Sequence, residues 1–247
     1  MVAGPLVRWL LAHDHHLTVT SLVREETLRE HMAANVAHEL RTPVTVLRSR
    51  LEAILDDVYP LDKEQIVIAH DQTLHLARLV EDLRQLTLAE AGQISLERQP
   101  IAPGELIQRV IDSFMPLVLD AGIDLKADID SDLPTIRIDV DRIRQVLGNV
   151  LANALRHTPT DGTIAVRVGQ QADQVRFEIS NTGSSLSPEV LEQLFEPFWR
   201  ADEARSRNGG GSGLGLAIAR QFVQLHGGKM WAEQHPDRLS FIFILPI

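Results

Sequence analysis

The chain has 247 residues, with 24 Lys plus Arg against 34 Asp plus Glu, a net charge of −10 and a hydrophobic fraction of 44%. That apolar content excludes a disordered chain, and the acidic balance argues against broad nucleic-acid binding, which needs a basic face. There is no cysteine, hence no disulfide, thiol chemistry or cysteine-ligated metal, and no apolar run reaches the roughly 18 residues that a membrane span requires, so a cytoplasmic chain without membrane contact of its own is expected.

MVAGPLVRWLLA at the N-terminus is apolar but short and broken by Arg8. It lacks a basic start and a small-residue cleavage site, so it reads as a packing helix rather than a signal peptide. HDHH at 13–16 reads as a solvated loop rather than a metal site, and residues 1–20 as a remnant of a signal-input or linker segment. One long helix is predicted from about 20 to 57. Its apolar positions Val36, Leu40, Val44, Leu47, Leu51, Ile54 and Leu55 step by threes and fours. On that wheel His38 lies roughly 160° from the apolar direction and faces outward, with Thr42 one turn on and Glu39 at its flank. Pro43 sits where a proline removes a ladder hydrogen bond.

YPLD at 59–62 breaks the pattern: Pro60 stops one helix and Asp62 can cap the next, predicted over 62–90. Two long amphipathic helices joined by a short turn make an antiparallel hairpin. Two helices alone bury little of such faces, so residues 21–90 are expected to form a homodimeric four-helix bundle.

Residues 91–100 read as a linker, and from about 101 to 247 the texture becomes α/β. IDLKADI, TIAVRV, VRFEIS and LSFIFIL read as strands. Helices are predicted at about 103–121, 139–157, 188–195 and 214–227. The expected domain is a two-layer α/β sandwich with a largely antiparallel or mixed sheet and helices on one side.

Three constellations carry chemistry. GGGSGLG at 209–215 abuts a well-patterned helix, so backbone N–H groups can approach a phosphate at its start. It fits neither a Walker P-loop nor a dinucleotide fingerprint. On the helix QVLGNVLANALRHTP, Asn149 and Asn153 share one face and offer oxygens to a hard cation, and Arg156 and His157 follow at phosphate reach. VRFEISNTG ends a strand in Asn181, with Gly183 permitting a turn; a side chain there can hydrogen-bond a base edge.

In this order the pieces resemble the catalytic core of a sensor histidine kinase. HELRTP at 38–43 resembles the phosphoacceptor motif, NVLANALRHTP at 149–159 the asparagine box, FEPFWR at 195–200 the phenylalanine box and GGGSGLGLAI at 209–218 the second glycine box; HGG at 226–228 is a further shared feature. The resemblance implies a Bergerat ATP-binding fold behind the helical hairpin. It implies that His38 accepts the γ-phosphoryl group of ATP, with Glu39 as general base and Thr42 orienting water for dephosphorylation. Asn153 takes the Mg2+ position with Asn149 in support, and Arg156 and His157 meet phosphates. Asn181 and Gly183 lie at the adenine, and Phe195, Phe198, Gly211, Gly213, Leu214 and Gly215 belong to the nucleotide pocket and its lid. That lid spans about 197–213 and carries Arg200, Arg205 and Arg207. The expected partners are a second copy of the chain and the receiver domain of a response regulator.

The pattern departs at the first glycine box, where the family reads DxGxG and this chain reads Asn181, Thr182, Gly183, Ser184, Ser185. A neutral amide is a weaker acceptor than a carboxylate, and Ser185 removes a glycine. ATP affinity below the family norm is therefore expected. The alternative function is a degenerate kinase that docks regulators as a scaffold or phosphatase.

Overall fold

The computed structural model of the protein describes residues 34–200 and 211–247. The N-terminal segment with its HDHH, residues 20–33 of the first predicted helix, Arg205 and Arg207 lie outside the described residues. The chain divides into two units after Leu79.

The first unit is the helical hairpin: α1 over residues 34–55 and α2 at Lys63–Glu90, whose last turns belong to the second unit. α1 stops two residues before the pattern suggests. Asp57 adopts a left-handed φ of 56°, and the N–H groups of Val58 and Tyr59 both donate to Ala53 O, at 2.9 and 3.0 Å. Asp62 caps α2 as expected, its Oδ1 accepting from the Gln65 N–H at 2.9 Å. Arg50 pins the turn, donating to Gln65 Oε1 at 2.6 Å and lying 5.7 Å from the Tyr59 ring centroid. The apolar stripe is left largely in water: Val44, Leu51, Leu55, Ile66 and Leu74 are all exposed, Leu55 at 81%.

In the second unit, strands β2 (Asp124–Ile129), β4 (Thr163–Gln171), β5 (Gln174–Thr182), β7 (Arg238–Pro246) and β6 (Lys229–Gln234) form one sheet in that spatial order. β2 pairs with β4 in parallel and every other pair is antiparallel. One face alternates Val166, Val168, Val175, Phe177, Ile179, Phe241 and Phe243, all buried. The cross-strand partners Phe177 and Phe243 stack with centroids 4.5 Å apart. Three helices supply the other layer: α3 (Pro103–Asp120), α4 (Val140–His157) and α6 (Gly215–Leu225), with buried stripes at threes and fours such as Ile143, Val146, Leu147, Val150, Leu151 and Ala154. A short α5 covers Pro188–Gln193. The end of α2 joins this unit, with Leu86 and Ala89 buried and Gln145 Nε2 donating to Gln85 Oε1 at 2.7 Å.

Three strands escape the sequence pattern. β1 (Gln99–Ile101) and β3 (Ile136–Ile138) form a separate antiparallel pair, and β6 edges the main sheet. β1 takes in the last two residues of the stretch read as linker. The residues just before it are also fastened: the Glu97 N–H donates to Asp139 Oδ2 at 3.1 Å, and Arg98 to Leu225 O at 2.9 Å.

Candidate functional site

Four chain segments converge at one end of the sheet: the C-terminal turn of α4, the end of β5, the start of α6 and the turn around Phe198. Asn149 on α4 donates through Nδ2 to Gly215 O at 2.9 Å, joining α4 to the first residue of α6. A Cβ at Gly215 would meet Asn149 Cγ at 3.4 Å, an ordinary van der Waals contact. Asn153, one turn further and half-buried, spends its side chain on no described residue. Asn149 thus engages its amide nitrogen, and the side-chain oxygens of both asparagines remain without a hydrogen-bond partner among the described residues.

Arg156 lies against Gly211, where a Cβ would come within 2.7 Å of Nη1. Partial withdrawal from water, then the nearby Arg200 cation, lower its pKa. His157 is exposed at its edge yet crowded enough that desolvation, then the Arg156 charge, hold it below the usual imidazole range. It is therefore a neutral hydrogen-bonding group near pH 7. The Arg156 guanidinium stands against the glycine run that leads into α6, whose first N–H groups have no intrahelical partner, a setting that favours an anion.

The end of β5 is locked against the end of α4. A Cβ on Gly162 would lie 2.7 Å from Pro159 O, and one on Gly183 (φ 88°) would run into the Pro159 ring. Asn181 is 1% exposed. Its Nδ2 donates to Thr182 O at 3.2 Å and to Ser184 Oγ at 3.1 Å, while Oδ1 is buried and accepts no hydrogen bond from the described residues. A carbonyl oxygen can only accept, so Thr182 O fixes which end of the amide is nitrogen. Burying an acceptor unpaired costs on the order of 1–3 kcal/mol, and a donor such as the adenine amino group would recover it. The amide thus keeps its NH2 turned inward to Thr182 O and Ser184. Ser185 is exposed and is not among the described residues with positive φ, so its backbone needs no glycine.

Phe198 and Gly213 close the stem of the segment read as a lid. The Phe198 N–H donates to Gly213 O at 3.0 Å, Phe198 holds a left-handed φ of 66°, and a Cβ on Gly213 (φ 70°) would lie 2.8 Å from the Phe198 backbone. Leu214 is fully buried and its N–H is capped by Ser212 Oγ at 3.3 Å. Phe195 packs edge-on to Phe241 at 6.4 Å, under the Arg220 guanidinium. It is a core anchor beneath the stem.

These residues fit ATP. An unpartnered acceptor suits the base, and the cationic end of α4 with the N-terminus of α6 suits the phosphates. They fit Mg2+ through neutral amide oxygens, that of Asn153 with that of Asn149 in support; no cluster of three His, Cys, Asp or Glu exists among the described residues. That agrees with the habit of Mg2+ to take one or two protein ligands and its remaining ligands from phosphates and water.

In the hairpin, His38 is exposed on α1 as the wheel places it, and Glu39 is half-buried. Thr42 Oγ1 donates to His38 O at 3.3 Å. Pro43 is buried and gives no N–H to the carbonyl of Glu39, yet the helix runs through it. The ladder is thus weakened at the turn that carries the two candidate reactive side chains.

Sequence reasoning missed one group and left the role of another unassigned. Gln234 on β6 ties the loop after Asn181 into the sheet, and no pattern announces it. His226 of the HGG stretch is buried, its Nε2 accepting from the Asp139 N–H at 3.0 Å and its Nδ1 2.7 Å from Phe222 O. It fastens α6 to the capping residue of α4 and touches no candidate ligand group.

Residues 28–92 match the His Kinase A (phospho-acceptor) domain, and residues 138–247 match the histidine kinase-, DNA gyrase B- and HSP90-like ATPase family. The chain is 33% identical over 226 residues to the signal transduction histidine-protein kinase BaeS of Escherichia coli, covering 92% of this chain and 48% of BaeS. It therefore spans about half the length of that curated relative. Among solved structures, the histidine kinase AdeS of Acinetobacter baumannii superposes with a TM-score of 0.73 at 27% identity, covering 85% of this chain and 97% of AdeS. Histidine kinase ThkA, in its complex with the response regulator protein TrrA, superposes at 0.71 with 26% identity, covering 92% of this chain and 66% of ThkA. No described helix is long and apolar enough to cross a membrane.

Proposed function

Because this chain belongs to the bacterial sensor histidine kinases, as a catalytic core in which a helical hairpin precedes an α/β ATP-binding domain, we propose that it transfers the γ-phosphoryl group of ATP to His38 and then to an aspartate of a response regulator. The observation that carries the reading is the buried, unpartnered Asn181 Oδ1 at the same end of the sheet as Arg156, His157 and the free N–H groups of α6. A site with one acceptor at its inner wall and cationic, N–H-rich groups beside it suits a purine nucleoside triphosphate.

In this reading Glu39 accepts a hydrogen bond from one imidazole nitrogen of His38, leaving the other free to attack. The attacking nitrogen forms the N–P bond, the bond from the γ-phosphorus to the bridging oxygen breaks, ADP departs, and the imidazole proton passes to Glu39. Arg156 and the α6 N–H groups hold the phosphates in line. Asn153 would hold a Mg2+ ion, which supplies charge neutralisation on the phosphate oxygens when bound. The exposed apolar stripe of α1 and α2 supports a homodimer through residues 21–90, since several large side chains otherwise face water. The ThkA–TrrA complex supports a receiver domain as partner. We assign Thr42 to orienting water when the regulator is dephosphorylated; its hydroxyl stands one turn from His38.

The degenerate-scaffold alternative rests on Asn181 and Ser185. The acceptor that Asn181 retains and the ordinary backbone of Ser185 support ATP use instead. The test is incubation with γ-labelled ATP and Mg2+, comparing wild type with His38→Gln. Acid-labile label in wild type alone supports the kinase. Absence of label in both overturns it.

A further inference from the structure

The helices α4 and α6 bring the last turn of one and the first residue of the other to the candidate site. Their opposite ends, the start of α4 and the end of α6, meet at Asp139, which is 8% exposed. Asp139 Oδ1 accepts from the Arg142 N–H at 3.2 Å and so caps α4. The Asp139 N–H donates to His226 Nε2 at 3.0 Å, and His226 directly follows α6. The remaining oxygen, Oδ2, accepts from the Glu97 N–H at 3.1 Å. The next residue, Arg98, donates to Leu225 O at 2.9 Å. Leu225 closes α6, where the last carbonyls have no intrahelical partner and a cation complements the helix dipole.

Two consecutive residues of the peptide between α2 and β1 are thus fastened to both helices at once. That peptide is short. The Gln93 N–H still donates to Leu88 O at 2.9 Å, so only residues 94–96 separate the last bond of α2 from Glu97. A displacement at the end of α2 is passed on rather than absorbed. The ties to Glu97 and Arg98 are single hydrogen bonds, one part-buried and one exposed, of a kind that opens without unfolding the core.

We propose that Arg98 and Asp139 are positioning residues of a clamp that couples the α2–β1 peptide to nucleotide affinity at the far ends of α4 and α6. Closed, it steadies the helix pair and favours ATP; drawn open from α2, it weakens ATP binding. The inference rests on the reading of that end as a nucleotide site. A ligand that touches both helices must hold them in one relative seating. A clamp that already does so at the other end removes part of that ordering cost, and by linkage the bound ligand favours the closed clamp equally. A tie that is only structural has no such reciprocity.

The experiment follows hydrogen exchange of the full chain over residues 94–101 and 136–142, with and without a non-hydrolysable ATP analogue and Mg2+. Affinity for the analogue is measured by displacement of a fluorescent nucleotide from wild type, Arg98→Ala and Arg98→Lys. The analogue is expected to slow exchange in both segments of wild type by about 5-fold or more. Arg98→Ala is expected to weaken affinity by a similar factor and to remove that slowing; Arg98→Lys, which keeps the cation at the end of α6, is expected to recover most of both. A structural tie alone would lower the melting temperature of Arg98→Ala and leave affinity unmoved. Exchange in wild type that ignores the analogue, or an Arg98→Ala affinity equal to wild type, overturns the proposal. If Arg98→Ala loses its cooperative melt, the wild-type exchange comparison decides alone. If wild type labels His38 and exchange still does not respond, only this inference fails. If wild type binds no nucleotide and takes no label, the kinase reading fails with it.

Discussion

The two parts of this molecule solve the burial problem in opposite ways. The α/β unit closes its core with its own chain: Phe177, Phe222, Phe241 and Phe243 are all essentially inaccessible. The hairpin leaves Leu55, Leu61, Ile66 and Val58 largely in water. A domain that completes itself can bind a ligand as a single copy. A hairpin that does not is a surface waiting for a second helix pair. On the proposed function, nucleotide binding and phosphoacceptor presentation should be separable in energy, with a dimer formed through the hairpin alone.

The largest effect should come from charging the hairpin stripe. Leu51→Glu combined with Ile66→Glu is expected to abolish the dimer in size-exclusion light scattering, since unpaired carboxylates in an apolar interface cost several kcal/mol. ATP affinity should stay at the wild-type value. Wild type eluting as a monomer would break the comparison outright, and loss of ATP binding in the charged variant would show that the two functions are not separable. Next comes Phe177→Ala, expected to destabilise the α/β unit by about 3–5 kcal/mol in denaturant melts through lost stacking on Phe243 and a cavity. The dimer should survive it.

Smaller effects sharpen the nucleotide end. The family pattern suggests that Asn181→Asp would strengthen ATP binding. The geometry says the opposite, because Thr182 O, now 3.2 Å from Nδ2, would face an anionic oxygen. A loss worth about 1–3 kcal/mol is expected by calorimetry. A gain would mean that the amide is a defect rather than a fitted part. Gly213→Ala forces a Cβ into the Phe198 backbone at an unfavourable φ and is expected to cost about 1–3 kcal/mol of stability while loosening the lid stem.

What the sequence disclosed follows from how each feature is encoded. Long amphipathic helices repeat their signal many times, so α2 was placed within one residue and α1 ended only two residues early, at the left-handed Asp57. β4, β5 and β7 show runs of branched and aromatic residues. β1 and β3 have three residues each, too few to establish a period, and their pairing is a contact between segments some 35 residues apart. At the nucleotide end, glycine-rich and asparagine-bearing motifs drew attention to Asn149, Asn153 and Asn181 because glycine and asparagine are out of place beside regular helices and strands. Their orientations were invisible: that Asn149 turns its nitrogen to Gly215 O and that Asn181 keeps its acceptor free are facts of side-chain geometry. Gln234 was invisible for the same reason, being an ordinary residue in an edge strand.

The smallest prediction concerns His226, which the HGG pattern marked and the structure assigns to architecture. Phe222 O can only accept, so Nδ1 carries the proton and Nε2 accepts from the Asp139 N–H. Burial depresses its pKa below 6.5, opposed next by the hydrogen bond to Phe222 O, with Arg98 adding a smaller lowering effect and Asp139 a still smaller raising one. A histidine that resists protonation when folded takes up a proton more readily when unfolded. The stability it contributes is therefore fully present above an unfolded pKa of about 6.5 and is lost as pH falls from there towards the folded pKa. His226→Gln removes this dependence along with some packing. The melting temperature of wild type should exceed that of the variant most at about pH 7.5, and the gap should narrow as pH drops through about 6. A gap that widened on acidification would mean the ring is charged in the fold. The Asp139 N–H could not then donate to it, and the tie between α6 and the cap of α4 would need another explanation.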